Sequence, residues 1–133
     1  MHQSRILIIE DNAYVQDAFE LTLQTFGLKA MVVTTAEEAL EAVHQRSFDI
    51  IISDHRLPGM DGLEFFTIAA PYITESIKVL ISAYGFENMG TDARAAGVDH
   101  FEIKPFSIPR LLLQLTQYTQ RDEDGSQASG RLH

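Results

Sequence analysis

A doubly wound α/β architecture, a parallel sheet of five strands flanked by five helices, is predicted by three features of this chain. Five short β-branched or aliphatic runs recur along it, stretches of helical periodicity separate them, and glycines or capping residues stand at the joints. The runs are Arg5 to Ile9, Ala30 to Thr34, Asp49 to Ser53, Ile77 to Ile81 and Asp99 to Ile103. Strict alternation of strand and helix implies a parallel sheet covered on both faces.

The first helix is predicted over Tyr14 to Phe26, where Val15, Ala18, Phe19, Leu21, Thr22, Leu23 and Phe26 form an apolar face. Gly27 follows it, where a left-handed residue closes a helix, and Gly97 does the same after the fourth. The second runs from Ala36 to Arg46 on Ala36, Ala39, Leu40 and Val43, with Thr35 as its cap and Glu38 completing a capping box. The third, Gly62 to Ala70, presents Leu63, Phe66 and Ile68 or Ala69, and the fourth, Glu87 to Ala96, is the weakest in pattern. The fifth, Ile108 to Tyr118, is strongly apolar through Leu111, Leu112 and Leu115, with Ser107 as cap and Pro109 in the first turn. From Gln120 to His133 the pattern stops. Residues 1–119 are therefore expected to form one domain, and 120–133 a flexible polar tail or the start of a linker. No internal repeat is evident beyond the strand-helix alternation.

A length of 133 residues suits a single core, and the apolar runs are of strand length, too short to cross a bilayer. The start of the chain resembles neither a secretory signal nor a transit peptide, and the absence of cysteine excludes a disulfide framework or a thiolate metal site. A cytoplasmic location is the expectation. A formal charge of −9 argues against this chain gripping nucleic acid by itself, because that affinity comes from clustered Lys and Arg.

In an open parallel sheet, ligands bind outside the carboxyl ends of the strands, where strand order reverses. Glu10 and Asp11 stand there after the first strand, Asp54 after the third, Ser82 after the fourth and Lys104 after the fifth. Each alone is an ordinary cap, turn or surface residue; their convergence on one edge is what points to chemistry. Three carboxylates forced together repel one another unless a cation intervenes, and an all-oxygen set suits Mg2+. A lysine ammonium and a serine hydroxyl suit phosphoryl oxygens, whose transfer is catalysed by positioning and charge neutralisation. Phosphoryl transfer to Asp54 as nucleophile is the predicted reaction. The five histidines share no ligand spacing, and surface roles are expected for His44, His55 and His100 as for His2 and His133.

Four motifs at characteristic spacing, Ile6 to Asn12, Asp49 to Gly62, Val79 to Ala83 and Lys104 to Phe106, make the chain resemble the CheY-like receiver domains of bacterial response regulators from about Arg5 to Tyr118. The resemblance implies a flavodoxin-like sheet with strand order 2-1-3-4-5. It implies that Glu10, Asp11, Asp54 and the backbone carbonyl of Arg56 hold Mg2+, and that Asp54 accepts a phosphoryl group from a sensor histidine kinase or histidine phosphotransfer protein. Ser82 and Lys104 would bind its oxygens. Ser82 and Phe101 would be the switch residues, and Arg56 and Tyr84 would tune dephosphorylation, Tyr84 as a shield and Arg56 as a local charge or a salt bridge to Glu10. In similar receivers the bond corresponding to Lys104-Pro105 is cis, aiming the ammonium inward. Between Leu57 and Gly62, Gly59 and Gly62 are expected to supply positive φ values.

The output surface implied is the fourth helix, fifth strand and fifth helix, including Arg94, His100, Phe101 and Arg110, toward a downstream effector protein or domain or into a phosphorylation-dependent dimer. The expected protein is a switched binding module whose chemistry is self-modification. Two other classes stay open: a receiver-like scaffold that is never phosphorylated, and a Mg2+-dependent aspartyl-phosphate phosphohydrolase. The latter needs a carboxylate two residues after its nucleophile, where this chain has Arg56. Sequence leaves open whether the module stands alone or belongs to a larger regulator or hybrid kinase.

Overall fold

The computed structural model describes residues 4–124. Its elements follow in the order β1 (Ile6–Ile9), α1 (Ala13–Thr25), β2 (Ala30–Val33), α2 (Ala36–Gln45), β3 (Ile50–Asp54), α3 (Gly62–Ala69), a 3-10 turn (Ala70–Tyr72), β4 (Ile77–Ser82), α4 (Phe86–Ala95), β5 (His100–Ile103) and α5 (Ile108–Asp124). All strand pairs are parallel, and the order across the sheet is β2-β1-β3-β4-β5. This is the five-stranded doubly wound sheet that the alternation and the resemblance imply.

Successive side chains of a strand point to opposite faces, and two cores follow from that alone. Ile6, Ile8, Ile50, Ile52, Val79 and Ile81 pack under α1 and α5 with Phe19, Leu23, Leu111, Leu112 and Leu115. Leu7, Ile9, Ile51 and Leu80 face the other way, onto α2, α3 and α4 with Ala39, Val43, Phe65, Phe66, Ala69, Met89 and Ala93. β1 and β3, apolar at nearly every position, are therefore buried throughout, whereas the edge strands β2 and β5 are only half-buried.

The joints follow local chemistry. Asn12 caps α1 by accepting from the N–H groups of Tyr14 and Val15. Thr35 and Glu38 form the predicted capping box, and Asp61 and Glu64 form a second one that opens α3. The Ser107 hydroxyl accepts from the Arg110 N–H, and Gly27 and Gly97 have φ values of 71° and 86°, as expected of residues that close helices.

Several expectations need correction. Leu21 and Ile68 are 65% and 52% exposed, and Phe65, absent from the predicted face of α3, is fully buried; a helix in register with its sheet turns Ala69 inward rather than Ile68. Ala18 and Phe26 are likewise exposed. The fifth helix runs past Tyr118 to Asp124, so Gln120 to Asp124 are helical rather than tail, in keeping with the helix propensity of Gln, Arg and Glu. The remainder of the expected tail lies outside the described residues.

Gly59 adopts the expected positive φ, 76°, but Gly62 does not. Gly62 is glycine for a steric reason: a Cβ there would lie 2.4 Å from the Asp54 carbonyl oxygen, 2.9 Å from Ser53 Oγ and 3.0 Å from Leu80 Cδ1. The start of α3 thus presses on the end of β3. Overpacking at such a point costs about 1–3 kcal/mol. Gly62→Ala is accordingly expected to lower unfolding stability by at least that range; an unchanged urea midpoint would show that α3 is not held against β3 at this point.

Candidate functional site

The strand register builds the site. Ile9 pairs with Ser53, so Glu10, the next residue after β1, emerges beside Asp54, the last of β3. Asp54 in turn pairs with Ile81 and brings Ser82 to the same edge. Lys104 follows β5 and stays in the ladder, its N–H donating to the Ser82 carbonyl at 2.9 Å. The peptide bond between Lys104 and Pro105 is cis, as expected from the resemblance. Strand order reverses between β1 and β3, which puts the crevice at Glu10 and Asp54.

Glu10, Asp11 and Asp54 offer carboxylate oxygens that all lie within 4.8 Å of one another. Glu10 and Asp54 are buried and Asp11 is exposed. Lys104 Nζ reaches to 2.8 Å from Asp54 Oδ1. The contact is an ion pair whose angles are not those of a hydrogen bond, so Oδ1, itself shielded from solvent, accepts no hydrogen bond. Burial pushes the Glu10 carboxyl above its ordinary range. The N–H of Asn12, donating to Glu10 Oε2 at 3.0 Å, opposes that shift, the charges of Asp54 and Asp11 add to it, and Lys104 opposes it. Three carboxylates facing one ammonium leave the crevice short of positive charge. An oxygen-only trio that includes a buried oxygen without a hydrogen bond fits a small hard divalent cation.

Of the residues singled out from sequence, the structure brings Glu10, Asp11, Asp54 and Lys104 into contact distance. Ser82 is buried at the same edge, but its hydroxyl is turned to α4, donating to Met89 Sδ at 3.2 Å and accepting from the Tyr84 N–H at 3.0 Å. Phe101 is half-buried on β5 and packs against the α2-α3-α4 core. Arg56 lies on the loop after β3, and its guanidinium does not reach Glu10. It donates to Tyr84 Oη at 2.7 Å, with its carbon 5.6 Å from the Tyr84 ring centre. The two expected tuning residues are thus tied to each other by a hydrogen bond and a cation-ring contact.

The His55 ring is largely buried rather than exposed. It packs edge-on to Tyr84, with centroids 6.4 Å apart, places Nε2 3.8 Å from Asp61 Oδ2, and leaves Nδ1 without a hydrogen bond. His44 is exposed against Tyr72, and His100 binds Glu102 at 2.6 Å. His2 and His133 lie outside the described residues.

Four supporting residues went unnoticed in sequence. Gln16 donates to the Glu10 carbonyl at 2.6 Å and fixes the turn after β1. Glu37, in the first turn of α2, accepts from the Met60 N–H at 3.3 Å and lies against Gly59. Met89 receives the Ser82 hydroxyl. The fourth, the Asn12 cap, is the one among them with a readable signature, a capping residue just ahead of a helical run.

Comparison with known proteins bears on the same region. Residues 6–116 match the family model for the response regulator receiver domain. The response regulator protein FleR of Pseudomonas aeruginosa is 28% identical over 96% of this chain and 27% of its own length. The chain spans about a quarter of the length of the first curated relatives it matches. Among solved structures, a CheY-like receiver domain protein from Methanospirillum hungatei superposes with a TM-score of 0.83 at 24% identity, covering 94% of this chain and all (100%) of that one. The receiver domain of a sensor histidine kinase from Pseudomonas aeruginosa PAO1, with a magnesium ion coordinated in its active-site cleft, has a TM-score of 0.76 at 24% identity, with coverages of 87% and 97%. The carboxylate crevice at the β1-β3 reversal, the lysine on its aspartate and the family match lead to one conclusion: this chain belongs to the response regulator receiver domain family.

Proposed function

We propose that this chain is a phosphorylation-dependent receiver, which takes a phosphoryl group from a histidine kinase or phosphotransfer protein onto Asp54 and thereby alters a partner-binding surface. The observation that carries this reading is Lys104 Nζ at 2.8 Å from Asp54 Oδ1, with Glu10 and Asp11 oxygens in the same cluster. In the step itself, a carboxylate oxygen of Asp54 forms a bond to phosphorus as the donor's P–N bond breaks, and the bonding pair returns to the donor imidazole. Lys104 and the Ser82 hydroxyl are suited to the phosphoryl oxygens, since little beyond orientation and charge is required. Glu10, Asp11, Asp54 and the Arg56 carbonyl would hold Mg2+, which supplies charge neutralisation across the transferred group.

The chemistry is modification of the chain itself, and Arg56 stands where a phosphohydrolase of this general kind has its general acid. The kinase, the effector and any dimer formed through α4, β5 and α5, a surface that includes Arg94, His100, Phe101 and Arg110, belong to the same proposal. Among the described residues no helix is long and apolar enough to cross a membrane.

Asp54→Asn is expected to keep the fold and to gain no phosphate mass after incubation with acetyl phosphate and Mg2+, conditions under which the wild type does. Modification of the variant to the wild-type extent would move the acceptor elsewhere.

Glu10 gives the site a pH dependence. Its folded pKa is raised, so above the ordinary value of 4.5 the folded chain holds more protons at this site than the unfolded chain. Its contribution to metal-free stability is present below that value and is lost as pH rises through the raised one. The metal-free Glu10→Gln variant should therefore gain stability relative to wild type as pH rises above 4.5, and Mg2+ should narrow the difference by stabilising the wild type more than the variant. Paired urea titrations in chelator and in Mg2+ measure both; a difference that shrinks with rising pH in chelator contradicts the assignment.

The Arg56-Tyr84 pair beside the acceptor supports a second expectation, a long-lived phosphoryl group. Tyr84→Ala should speed its loss roughly fivefold, the rate equivalent of about 1 kcal/mol. Decay of the labelled protein provides the measurement, and equal half-lives would remove Tyr84 from that role.

A further inference from the structure

Ser82 closes β4 and is 1% exposed as a residue, and its hydroxyl oxygen makes two contacts, to Met89 Sδ at 3.2 Å and to the Tyr84 nitrogen at 3.0 Å. The backbone N–H is the donor in the second, so the hydroxyl proton is directed at the sulfur. A serine hydroxyl has one proton to give. While Met89 receives it, no oxygen on Asp54 can. Met89 is itself 7% exposed and belongs to the cluster that includes Leu80 and Ala93, the same cluster against which Phe101 packs.

The geometry points to Met89 as the residue that holds the Ser82 hydroxyl away from Asp54 in the unphosphorylated domain, so that its thioether sets how readily the phosphorylated state forms. The inference rests on the reading of Asp54 as acceptor. It concerns a positioning residue, which touches no reacting atom.

The chemistry of the three alternatives at this place decides the matter. A thioether sulfur is a weak acceptor, whereas a charged phosphoryl oxygen binds a hydroxyl roughly twice as strongly as a neutral partner does. Moving the proton from sulfur to a phosphoryl oxygen is therefore favourable. A carbonyl or carboxylate in place of the sulfur would compete with the phosphoryl group and oppose the change. An aliphatic side chain would leave a buried hydroxyl without an acceptor and penalise the unphosphorylated state. Sulfur lies between these extremes: it satisfies the hydroxyl without holding it firmly. The contact also fastens α4. Gly85, its N-cap residue, makes no side-chain cap bond, and the Ser82-Met89 contact ties the helix to the end of β4. Departure of the hydroxyl removes that tie, which links the state of Asp54 to a helix on the proposed output surface.

Beryllofluoride binding to the full chain in Mg2+, followed by calorimetry, tests this with a double-mutant cycle of Met89→Leu and Ser82→Ala. Leucine keeps the volume and removes the acceptor. Met89→Leu is expected to tighten beryllofluoride binding roughly tenfold, or about 1.4 kcal/mol, and to have no effect in the Ser82→Ala background. Equal affinity of wild type and Met89→Leu overturns the inference while leaving the acceptor reading intact. Tightening that persists without the Ser82 hydroxyl also overturns it, because Met89 would then act through packing. Failure of the wild type to bind beryllofluoride at all brings down the acceptor reading, and this inference with it. Thermal unfolding of each variant checks the fold, and Met89→Ile repeats the cycle if Met89→Leu does not unfold cooperatively.

Discussion

The pairing of β1 with β3 is the constraint on which this molecule turns. Ile9 opposite Ser53 sets Glu10 beside Asp54, and both strands are buried on each face, so the register cannot slip without moving an entire row of isoleucines across the sheet. Hydrophobic packing thereby forces like charges together. Burial of Glu10 and Asp54 follows from that placement, and Lys104, carried in from β5, meets the negative charge it creates. The energy holding the carboxylates in proximity comes from the core beneath them rather than from any attraction among themselves.

Most of the architecture was legible in the residues because both periodicities are strong. Ile6 to Ile9 and Ile50 to Ile52 read as buried strands, Thr35 with Glu38 read as a helix start, and Gly27 and Gly97 read as helix ends. Legibility failed where tertiary packing chooses between adjacent positions. Ile68 and Ala69 both fit a helical stripe, and only the direction of α3 across the sheet turns the smaller one inward. The end of α5 was misjudged for a related reason: apolar periodicity stops at Tyr118, while the backbone remains helical to Asp124.

The site divides in the same way. Glu10, Asp11, Asp54 and Lys104 were readable because each stands at a strand end, and strand ends of a parallel sheet converge. Side-chain pairing between loops was not readable. Nothing in the spacing of Arg56 and Tyr84 joins them, since their contact depends on where β3 and β4 leave the sheet. The burial of His55 and the turn of Ser82 toward Met89 are likewise products of three-dimensional proximity. Gly62 is instructive, because its type was noticed and its reason misassigned: the position demands the absence of a Cβ beside Asp54, not an unusual torsion.

The segment from His55 to Gly62 is fastened in a way that most connections are not. Its two ends are joined by the Gly62 N–H donating to the His55 carbonyl at 2.9 Å, and Glu37 reaches across from α2 to the Met60 N–H. Connecting loops ordinarily absorb extra residues because nothing fixes their length. Here the span is a closed ring pinned at its far side, so its residue count is as constrained as that of a strand. Length variation in this molecule is thereby steered away from Asp54 and toward joints without such a clasp.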